Sequence, residues 1–425
     1  MAFALRPLEL LSMQVAVFHP GTQHSRQTAL ALQQLGRLAF LATGLFDHPG
    51  SGLRRVANVL PERLARPLES ELARFAFEGL DPDKVRAMAR YELPERIAAR
   101  LGAGDLAWRL DTMLNRAFGK RVARMAEREG QLALWGFDGS SATAFADPRT
   151  AHCYKILDRT MADSRSWNKE RERIAETHGD WLGQGSAAWG SERIESDDIE
   201  FDRADTILCG SPFVMETIRK YSSVDGVEGK LELLPYGFDA GLFRTGTAPR
   251  RVPEAEPVRF LFAGQVAARK GVQHVLEAFD RLPPASARLT LLGQVAVPEA
   301  LLARYRDRVD IIGAVPRSQV PAIMRDHHAL VFPSHNEGSA IVLLEAMASG
   351  LAVIHTAASG MGASEKSGFV LDQPSADGVE QAMAALIDDR DRLQSMRLAA
   401  IEEAKARDFA AYRANIAALL ARLDL

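Results

Sequence analysis

Two glutamates eight residues apart carry the strongest chemical signal in this sequence. They are Glu337 and Glu345, in the stretch PSHNEGSAIVLLEAMASG that follows an apolar run ending at Phe332. A helix is predicted over residues 339–349, so Glu345 lies roughly 9 Å along the helix axis from its start. Because backbone amides are free at a helix start, this position favours an anion such as a diphosphate. Carboxylates on either side can accept hydrogen bonds from sugar hydroxyls, although Glu345 alone also fits an ordinary exposed helix position.

A second stretch, FAGQVAARKG at residues 262–271, places two cations at a predicted helix start. The strand-like residues 259–263 lead into it, and Gly264 lets the chain turn tightly. Arg269 and Lys270 oppose the helix dipole there, an unfavourable placement that a bound diphosphate would offset. The alternative is a basic helix cap exposed to solvent. We favour a pair of cations that neutralises a diphosphate leaving group.

Together the two stretches resemble the retaining glycosyltransferases of family 4, whose signature is Glu-x7-Glu, here followed by Ala-Met-Ala-Ser-Gly. The resemblance implies the GT-B fold, an α/β fold of two Rossmann-like doubly wound domains that face a central cleft. It implies that Glu345 holds the ribose of a nucleotide sugar. Glu337 would contact the donor sugar, with Lys270 and Arg269 as the other catalytic groups. The resemblance also assigns donor binding to the stretch that contains Gly338, Ser339, Ala340 and Ile341.

Two further loops are assigned to donor binding by the same resemblance. Residues 313–316 (GAVP) resemble the loop that flanks the nucleobase, which makes Val315 a donor-binding residue. Relatives often carry an arginine next to the glycine that corresponds to Gly264, whereas this chain has Gln265. Both Gly264 and Gln265 are assigned to the donor, and Arg269 is expected to supply the missing charge.

The loop HPGTQH at residues 19–24 follows the first predicted strand and opens a helix. Relatives use this loop near the donor phosphate and the acceptor, which assigns Gly21 to the donor; a simple tight turn explains the loop equally well. Many relatives carry His-Asp at the end of an inner strand, but residues 157–158 here are Leu-Asp, so no catalytic histidine is assigned. Asp158 and His152 are each equally consistent with a structural role. The acceptor-side candidates are Gln23, His24, Asp158 and His152.

Short apolar runs that alternate with helical stretches predict parallel sheets covered on both faces. The runs in the second half are residues 259–263, 289–292, 310–312, 329–332 and 352–355. Those in the first half are residues 14–18, 38–41, 132–135, 155–157, 206–209 and 231–234. We therefore predict two domains, joined by a linker rich in proline, with ligands bound in the cleft at the carboxyl ends of the strands.

The predicted domain boundaries follow from these patterns. Residues 1–244 form an acceptor-side domain, residues 245–257 the linker, and residues 258–404 the domain that binds the nucleotide sugar. Residues 405–425 resemble a last helix that crosses back to the first domain. Residues 62–128 form a long helical insertion in the first domain, which the family resemblance does not cover.

The insertion is basic. Residues 84–128 contain eleven basic and five acidic side chains, an excess of six positive charges. Such a run is usually a solvated helix face. The alternative is a surface for anionic lipid or for an acceptor linked to a lipid pyrophosphate.

Composition excludes several other classes. A formal net charge of −3 argues against a nucleic-acid binder. No run approaches the ~18–20 apolar residues of a membrane-spanning helix, and the start of the chain does not fit a signal peptide. Two distant cysteines form neither a disulfide framework nor a metal cluster. The Asp-x-Asp pairs at residues 81–83 and 389–391 fit surface helix positions, so neither a metal nor another cofactor is expected.

We predict a bacterial enzyme of the hexosyltransferase type, retaining and independent of metal. It would move a sugar from a UDP- or GDP-sugar donor to a glycan or lipid-linked acceptor, in the synthesis of cell-surface polysaccharide or glycoconjugates. The expected location is the cytoplasm, with possible peripheral contact at the inner face of the plasma membrane and no nucleic-acid partner. The alternatives are a GT-B nucleotide-sugar epimerase, a phosphorylase, and a non-catalytic GT-B subunit that binds a partner transferase.

Overall fold

The structure is a computed structural model of the 425-residue chain. It describes residues 13–21, 24–48, 75–100, 104–183 and 186–425, together with five single positions between residues 59 and 72. The acceptor-side candidate Gln23 and much of the first part of the predicted insertion lie outside the described residues.

The chain divides into two compact units. The first unit comprises Met1–Asp158, Ile199–Ile207 and Arg413–Leu425. The second unit comprises Arg159–Asp198 and Leu208–Tyr412. The domain boundaries drawn from the sequence stay predictions.

The strands of the first half form a sheet of seven described strands in the order β3-β2-β1-β4-β5-β6-β7. The central strand β1 pairs in parallel with β2 and β4. Buried, nearly continuous apolar runs favour this arrangement because both faces of a parallel sheet are covered. The strands are β1 (Gln14–His19), β2 (Leu38–Thr43), β3 (Val85–Ala87), β4 (Leu132–Phe137), β5 (Tyr154–Arg159), β6 (Thr206–Cys209) and β7 (Leu231–Leu233).

The second half forms a sheet of six described strands in the order β10-β9-β8-β11-β12-β13. All of its neighbouring strands run parallel. Its order is that of the doubly wound dinucleotide-binding sheet, in which ligands bind where the strand order reverses. The strands are β8 (Val258–Ala263), β9 (Ala287–Leu292), β10 (Val309–Ile312), β11 (Ala329–Phe332), β12 (Ala352–Thr356) and β13 (Gly368–Leu371).

Helices connect the strands of both sheets. In the first half they are α1 (Ser25–Gln34), α2 (Leu93–Arg100), α3 (Gly104–Glu129), α4 (Ala142–Ala146), α5 (Ser164–His178), α6 (Ser191–Arg203), α7 (Pro212–Tyr221) and α8 (Ala240–Phe243). In the second half they are α9 (Val272–Arg281), α10 (Glu299–Ala303), α11 (Val320–Arg325), α12 (Ile341–Ala348), α13 (Ala376–Asp388), α14 (Arg390–Ala404) and α15 (Phe409–Arg422). None of the helices among the described residues is long and apolar enough to span a bilayer.

The eleven strands predicted from the apolar runs are all present. Two short strands were not predicted, β3 and β13. The insertion was expected to be helical throughout, but β3 lies within it and pairs with β2, Leu41 facing Val85. Three residues are too few to show an alternating or continuous apolar pattern.

The segment Arg159–Asp198 belongs to the second unit because of its buried contacts. Trp167 and Ile174 of α5 lie in the same hydrophobic core as β8 and β11. At the end of β5, Arg159 donates to both carboxylate oxygens of Asp197, at 2.8 and 2.9 Å, and both side chains are fully buried. A buried ion pair of this kind ties the end of β5 to α6, since neither charge can be left alone.

Candidate active site

The two stretches that are predicted to carry the chemistry lie at the point where the second sheet reverses its strand order. One follows β8 and the other follows β11, and these strands are neighbours. After β8, a single 3-10 turn, Ala268–Lys270, leads to Gly271 with a φ of +78°. A Cβ at Gly271 would lie 2.0 Å from the carbonyl oxygen of Pro333. The two loops therefore touch through their backbones.

A buried carboxylate joins the loops. Glu337 Oε1 accepts hydrogen bonds from Lys270 Nζ and from Arg269 Nη1, the latter at 2.9 Å. Ser334 Oγ donates to the same oxygen at 3.1 Å. Arg269 Nη1 also donates to the carbonyl oxygen of Asn336 at 2.6 Å. Because two cations share one carboxylate, this cluster keeps one net positive charge.

The surroundings of the cluster set its protonation. Burial alone raises the pKa of Glu337, but Lys270 and Arg269 outweigh it and hold that pKa below its ordinary value. Burial lowers the pKa of Lys270, while Glu337 opposes the shift. Lys270 Nζ lies 5.3 Å from the centroid of the Phe332 ring, which adds a cation–π contact. Glu337 is therefore ionised at neutral pH.

Glu345 lies on α12 and is buried, not exposed as an isolated helix position would be. Its Oε1 accepts a hydrogen bond from Arg317 Nη2 at 2.6 Å. Burial raises the pKa of Glu345, and Arg317 opposes that shift. Arg317 is largely exposed and its guanidinium lies 5.2 Å from the centroid of the Phe243 ring. Arg317 was not among the predicted site residues, although it directly follows the predicted loop at residues 313–316.

The start of α12 is shaped by two close backbone approaches. The predicted helix began at residue 339, but α12 begins at Ile341 because the amide of Ala340 donates to Ser359 at 2.9 Å. Gly338 lies so close to the 159–161 segment that a Cβ would be 1.6 Å from the carbonyl oxygen of Thr160. Ser211 Oγ donates to the Gly338 carbonyl at 2.6 Å. No described side chain caps α12, so its first amides remain suited to an anion.

A chain of polar contacts holds the back of the β11 loop. His335 Nδ1 lies 2.7 Å from Glu170 Oε1 on α5, and His335 Nε2 lies 3.1 Å from His274 Nε2 on α9. Asn336 Nδ2 donates to Ser166 Oγ, also on α5, at 3.2 Å. Burial lowers the pKa of His274 to about 3, with His335 as the next cause. None of these contacts was predicted, since they join residues far apart in sequence.

The other donor-side candidates lie in the second unit, near the ends of its strands. Gly264 directly follows β8 with a φ of +140°, which glycine adopts without strain. Gln265 is exposed beside it, and Val315 is half-buried against the core of this unit. Ser339 is half-buried and Ala340 is buried. The structure thus brings together the loops that carry the donor-side candidates of this unit.

The remaining candidates lie in the first unit. The amide of Gly21 donates to His19 Nδ1 at 3.0 Å. His24 precedes α1. Asp158 is buried at the end of β5 and accepts a hydrogen bond from Trp135 Nε1 at 3.1 Å. His152 Nε2 lies 3.0 Å from the carbonyl oxygen of Gly130. Their assigned roles stay predictions.

Comparison with known sequences identifies the chemistry of related proteins. Residues 248–407 match the family model described as "Glycosyl transferases group 1". The chain is 26% identical over 241 residues to D-inositol 3-phosphate glycosyltransferase of Corynebacterium glutamicum, covering 51% of this chain and 57% of that one. It is 33% identical over 214 residues to the GDP-mannose-dependent alpha-(1-6)-phosphatidylinositol monomannoside mannosyltransferase of Mycobacterium tuberculosis, covering 44% and 54%. The chain thus spans about half the length of these curated relatives, and the matches support the predicted glycosyltransferase family.

Comparison with solved structures establishes the fold. Sucrose-phosphate synthase from Thermosynechococcus elongatus superposes with a TM-score of 0.65 at 17% identity, covering 97% of this chain and 99% of that one. Anabaena Alr3699/HepE, in complex with UDP and glucose, superposes with a TM-score of 0.59 at 13% identity, covering 96% and 100%. At such identities the likeness shows the fold alone, and that fold is GT-B, as predicted.

Replacement of Gly338 by alanine tests the backbone approach at the start of α12. Gly338→Ala is expected to destabilise the protein by about 1–3 kcal/mol, because the new methyl group meets the Thr160 carbonyl and not a flexible side chain. The matched control is Gly313→Ala, where no atom lies within 4 Å of the added Cβ and where a change within about 0.5 kcal/mol is expected. Urea denaturation measures both. Equal stability of the two variants would contradict the close approach.

Proposed function

We propose that this protein is a retaining glycosyltransferase that moves a sugar from a nucleotide-diphospho-sugar to a glycan or lipid-linked acceptor. One observation carries the proposal: Lys270 and Arg269 share the buried Glu337 at the strand-order reversal of a Rossmann-like sheet. This is where such sheets bind nucleotides. The group 1 match over residues 248–407 includes every residue of the cluster.

The cluster has the charge needed to stabilise a leaving diphosphate. Its net positive charge is held in a largely buried loop, where electrostatic interactions are stronger than in water. Lysine offers three donors and arginine five, so each cation can bind a phosphate oxygen and still keep Glu337. Glu337 then holds Lys270 and Arg269 in place before the donor arrives. The uncapped amides at the start of α12 supply further donors to the same anion.

Glu345 is the proposed ribose ligand. Arg317 contacts its Oε1, and no described residue donates a hydrogen bond to Oε2. A carboxylate oxygen can accept a hydroxyl hydrogen bond without displacing the arginine on the other oxygen. UDP-sugar and GDP-sugar donors are both compatible with this contact. The relatives described above include a GDP-mannose-dependent enzyme, and the structural neighbours include one solved with UDP and glucose.

Retention and metal independence are proposed from the likeness to family 4. Leaving-group departure and acceptor attack would occur on the same face of the sugar, with the cations in place of a metal ion. Neither Asp-x-Asp pair lies in the loops that form the cluster: Asp81 caps a 3-10 turn and Asp389 caps α14.

The α3 helix carries the proposed contact with a lipid surface or lipid-linked acceptor. Leu106 and Met113 are 52% and 57% exposed. Exposed basic residues recur on the same helix at steps of seven, four and four residues, which places them on one face. They are Arg109, Arg116, Lys120 and Arg124. A face that combines basic and apolar side chains is suited to an anionic membrane surface.

Removal of the proposed ribose ligand should weaken nucleotide binding. Glu345→Ala is expected to lower the affinity for the cognate nucleotide by about 10- to 150-fold, because a hydrogen bond to a charged group contributes roughly 1.5–3 kcal/mol. Calorimetry with UDP, GDP and ADP, each alone and as the sugar conjugate, identifies the base and measures the loss. Glu299→Ala, an exposed glutamate of the same unit, is the control. Unchanged affinity in Glu345→Ala would remove the ribose role.

The reaction course is tested in the presence of a chelator. Transfer is expected to continue after exhaustive EDTA treatment, because two side-chain cations stabilise the diphosphate. Nuclear magnetic resonance of the product should show the same anomeric configuration as the donor. Loss of transfer that Mn2+ or Mg2+ restores would contradict metal independence, and an inverted product would contradict retention.

The α3 surface is tested with liposomes. Replacement of Arg109, Arg116, Lys120 and Arg124 by Gln should reduce co-sedimentation with anionic liposomes, since each basic residue near such a surface contributes ~1 kcal/mol. The wild-type interaction should weaken as salt shortens the Debye length to about 8 Å at physiological strength. Nucleotide affinity should not change.

A matched control replaces four exposed basic residues of the second unit by Gln: Lys220, Arg288, Arg304 and Lys366. Because this control removes the same total charge, only a local surface on α3 predicts different behaviour of the two variants. If wild type ignores anionic liposomes and the α3 variant keeps full acceptor turnover, the α3 face is merely solvated.

A further inference from the structure

A second group of side chains that could bind a metal ion lies next to the histidine contacts behind the loop after β11. His178 is the last residue of α5, while His274 and Glu277 are three residues apart on α9 and so share one face of that helix. The ligand atoms of these three residues all lie within 4.8 Å of one another. His178 Nε2 is 3.1 Å from Glu277 Oε1. Among the described residues, this is the one such group of three metal-ligating side chains.

The spacing fits a small tetrahedral cation. With zinc–nitrogen and zinc–oxygen bonds of roughly 2.0–2.1 Å, neighbouring ligand atoms of a tetrahedral site are roughly 3.3 Å apart. The His178–Glu277 separation already has that length. The ligand atom of His274 lies within 4.8 Å of the other two, and three protein ligands leave a fourth position for water.

Each imidazole is held through its other nitrogen, as in established metal sites. His178 Nδ1 lies 2.9 Å from Thr177 Oγ1, which leaves Nε2 toward Glu277. His274 Nε2 lies 3.1 Å from His335 Nε2, which leaves Nδ1 as the available ligand atom. His335 is fixed in turn by Glu170 at 2.7 Å. Such outer hydrogen bonds orient metal-ligating histidines.

The donor set selects the class of cation. Two imidazoles and one carboxylate suit zinc and its neighbours in the first transition row, whereas magnesium and calcium prefer oxygen ligands alone. The carboxylate of Glu277 offers a negative charge, and its side chain is 29% exposed. His178 is 17% exposed, so an ion can enter from solvent without unfolding the helices.

We propose that His178, His274 and Glu277 form a binding site for a zinc-class cation that ties α5 to α9. The site is distinct from the Lys270–Glu337 cluster. It is coupled to the loop after β11, since His274 contacts His335 and His335 is two residues before Glu337. The cation serves to brace the loop and takes no part in glycosyl transfer.

The test is zinc binding by the full chain without an affinity tag, measured by competition with a chromophoric chelator. One equivalent of Zn2+ is expected to bind, and His178→Gln and Glu277→Gln should each lower the affinity at least roughly tenfold. The matched control is Glu176→Gln, which changes the same charge at an exposed position of α5 two residues away. It should bind zinc as wild type does.

Thermal denaturation and Co2+ spectroscopy complete the test. Zinc should raise the melting temperature of wild type and of Glu176→Gln but not that of Glu277→Gln, whose melting temperature without metal shows that it is folded. Co2+ in place of Zn2+ should give the visible bands of a four-coordinate site only in the first two. Failure of wild type to bind one equivalent, or equal affinity in Glu176→Gln and Glu277→Gln, would overturn the proposal. No sugar nucleotide is needed, so these outcomes are separate from those that test glycosyl transfer.

Discussion

The buried carboxylate of Glu337 is the contact on which the candidate site depends. It joins the loop after β8 to the loop after β11 through Lys270 and Arg269, 67 and 68 residues away along the chain. A state in which only one of the two loops is in place would leave a buried charge unpaired. Removal of one partner from a buried ion pair typically destabilises a protein by about 3–5 kcal/mol. The two loops therefore adopt their positions together, and a surplus of positive charge remains for an incoming anion.

The second unit supports that contact from behind. Helix α5 supplies Glu170 and Ser166 to the loop after β11, and α9 supplies His274. Gly338 and Gly271 allow backbones to approach where any side chain would collide. The polar contacts from α5 and α9 and the close backbone approaches at the two glycines together hold the loop. The positions of its charged groups therefore do not depend on flexible surface residues.

The sequence predicted those parts of this arrangement that have a local pattern. The apolar runs located the central strands because a parallel sheet buries both faces, and the glutamate pair and the Arg-Lys pair located the loops. The contacts between the loops were not predictable, because the Lys270–Glu337 pairing, the Arg317–Glu345 pairing and the histidine chain join distant residues. The contribution of α5 to the core was not predicted, because the helix is largely polar and enters the core through few apolar side chains, Trp167 and Ile174 among them.

The family match begins at residue 248, yet the core of the second unit begins earlier in the chain. Trp167, Ile174 and Trp181 lie in that core, and the Gly183 backbone approaches Ala296 so closely that a Cβ would be 1.8 Å from its carbonyl oxygen. A fragment that begins at residue 248 would lack Trp167 and Trp181 and would expose the apolar surface that they cover. Large exposed apolar surfaces promote aggregation. The segment that matches the family model, residues 248–407, therefore lacks part of its own hydrophobic core and is not expected to fold by itself.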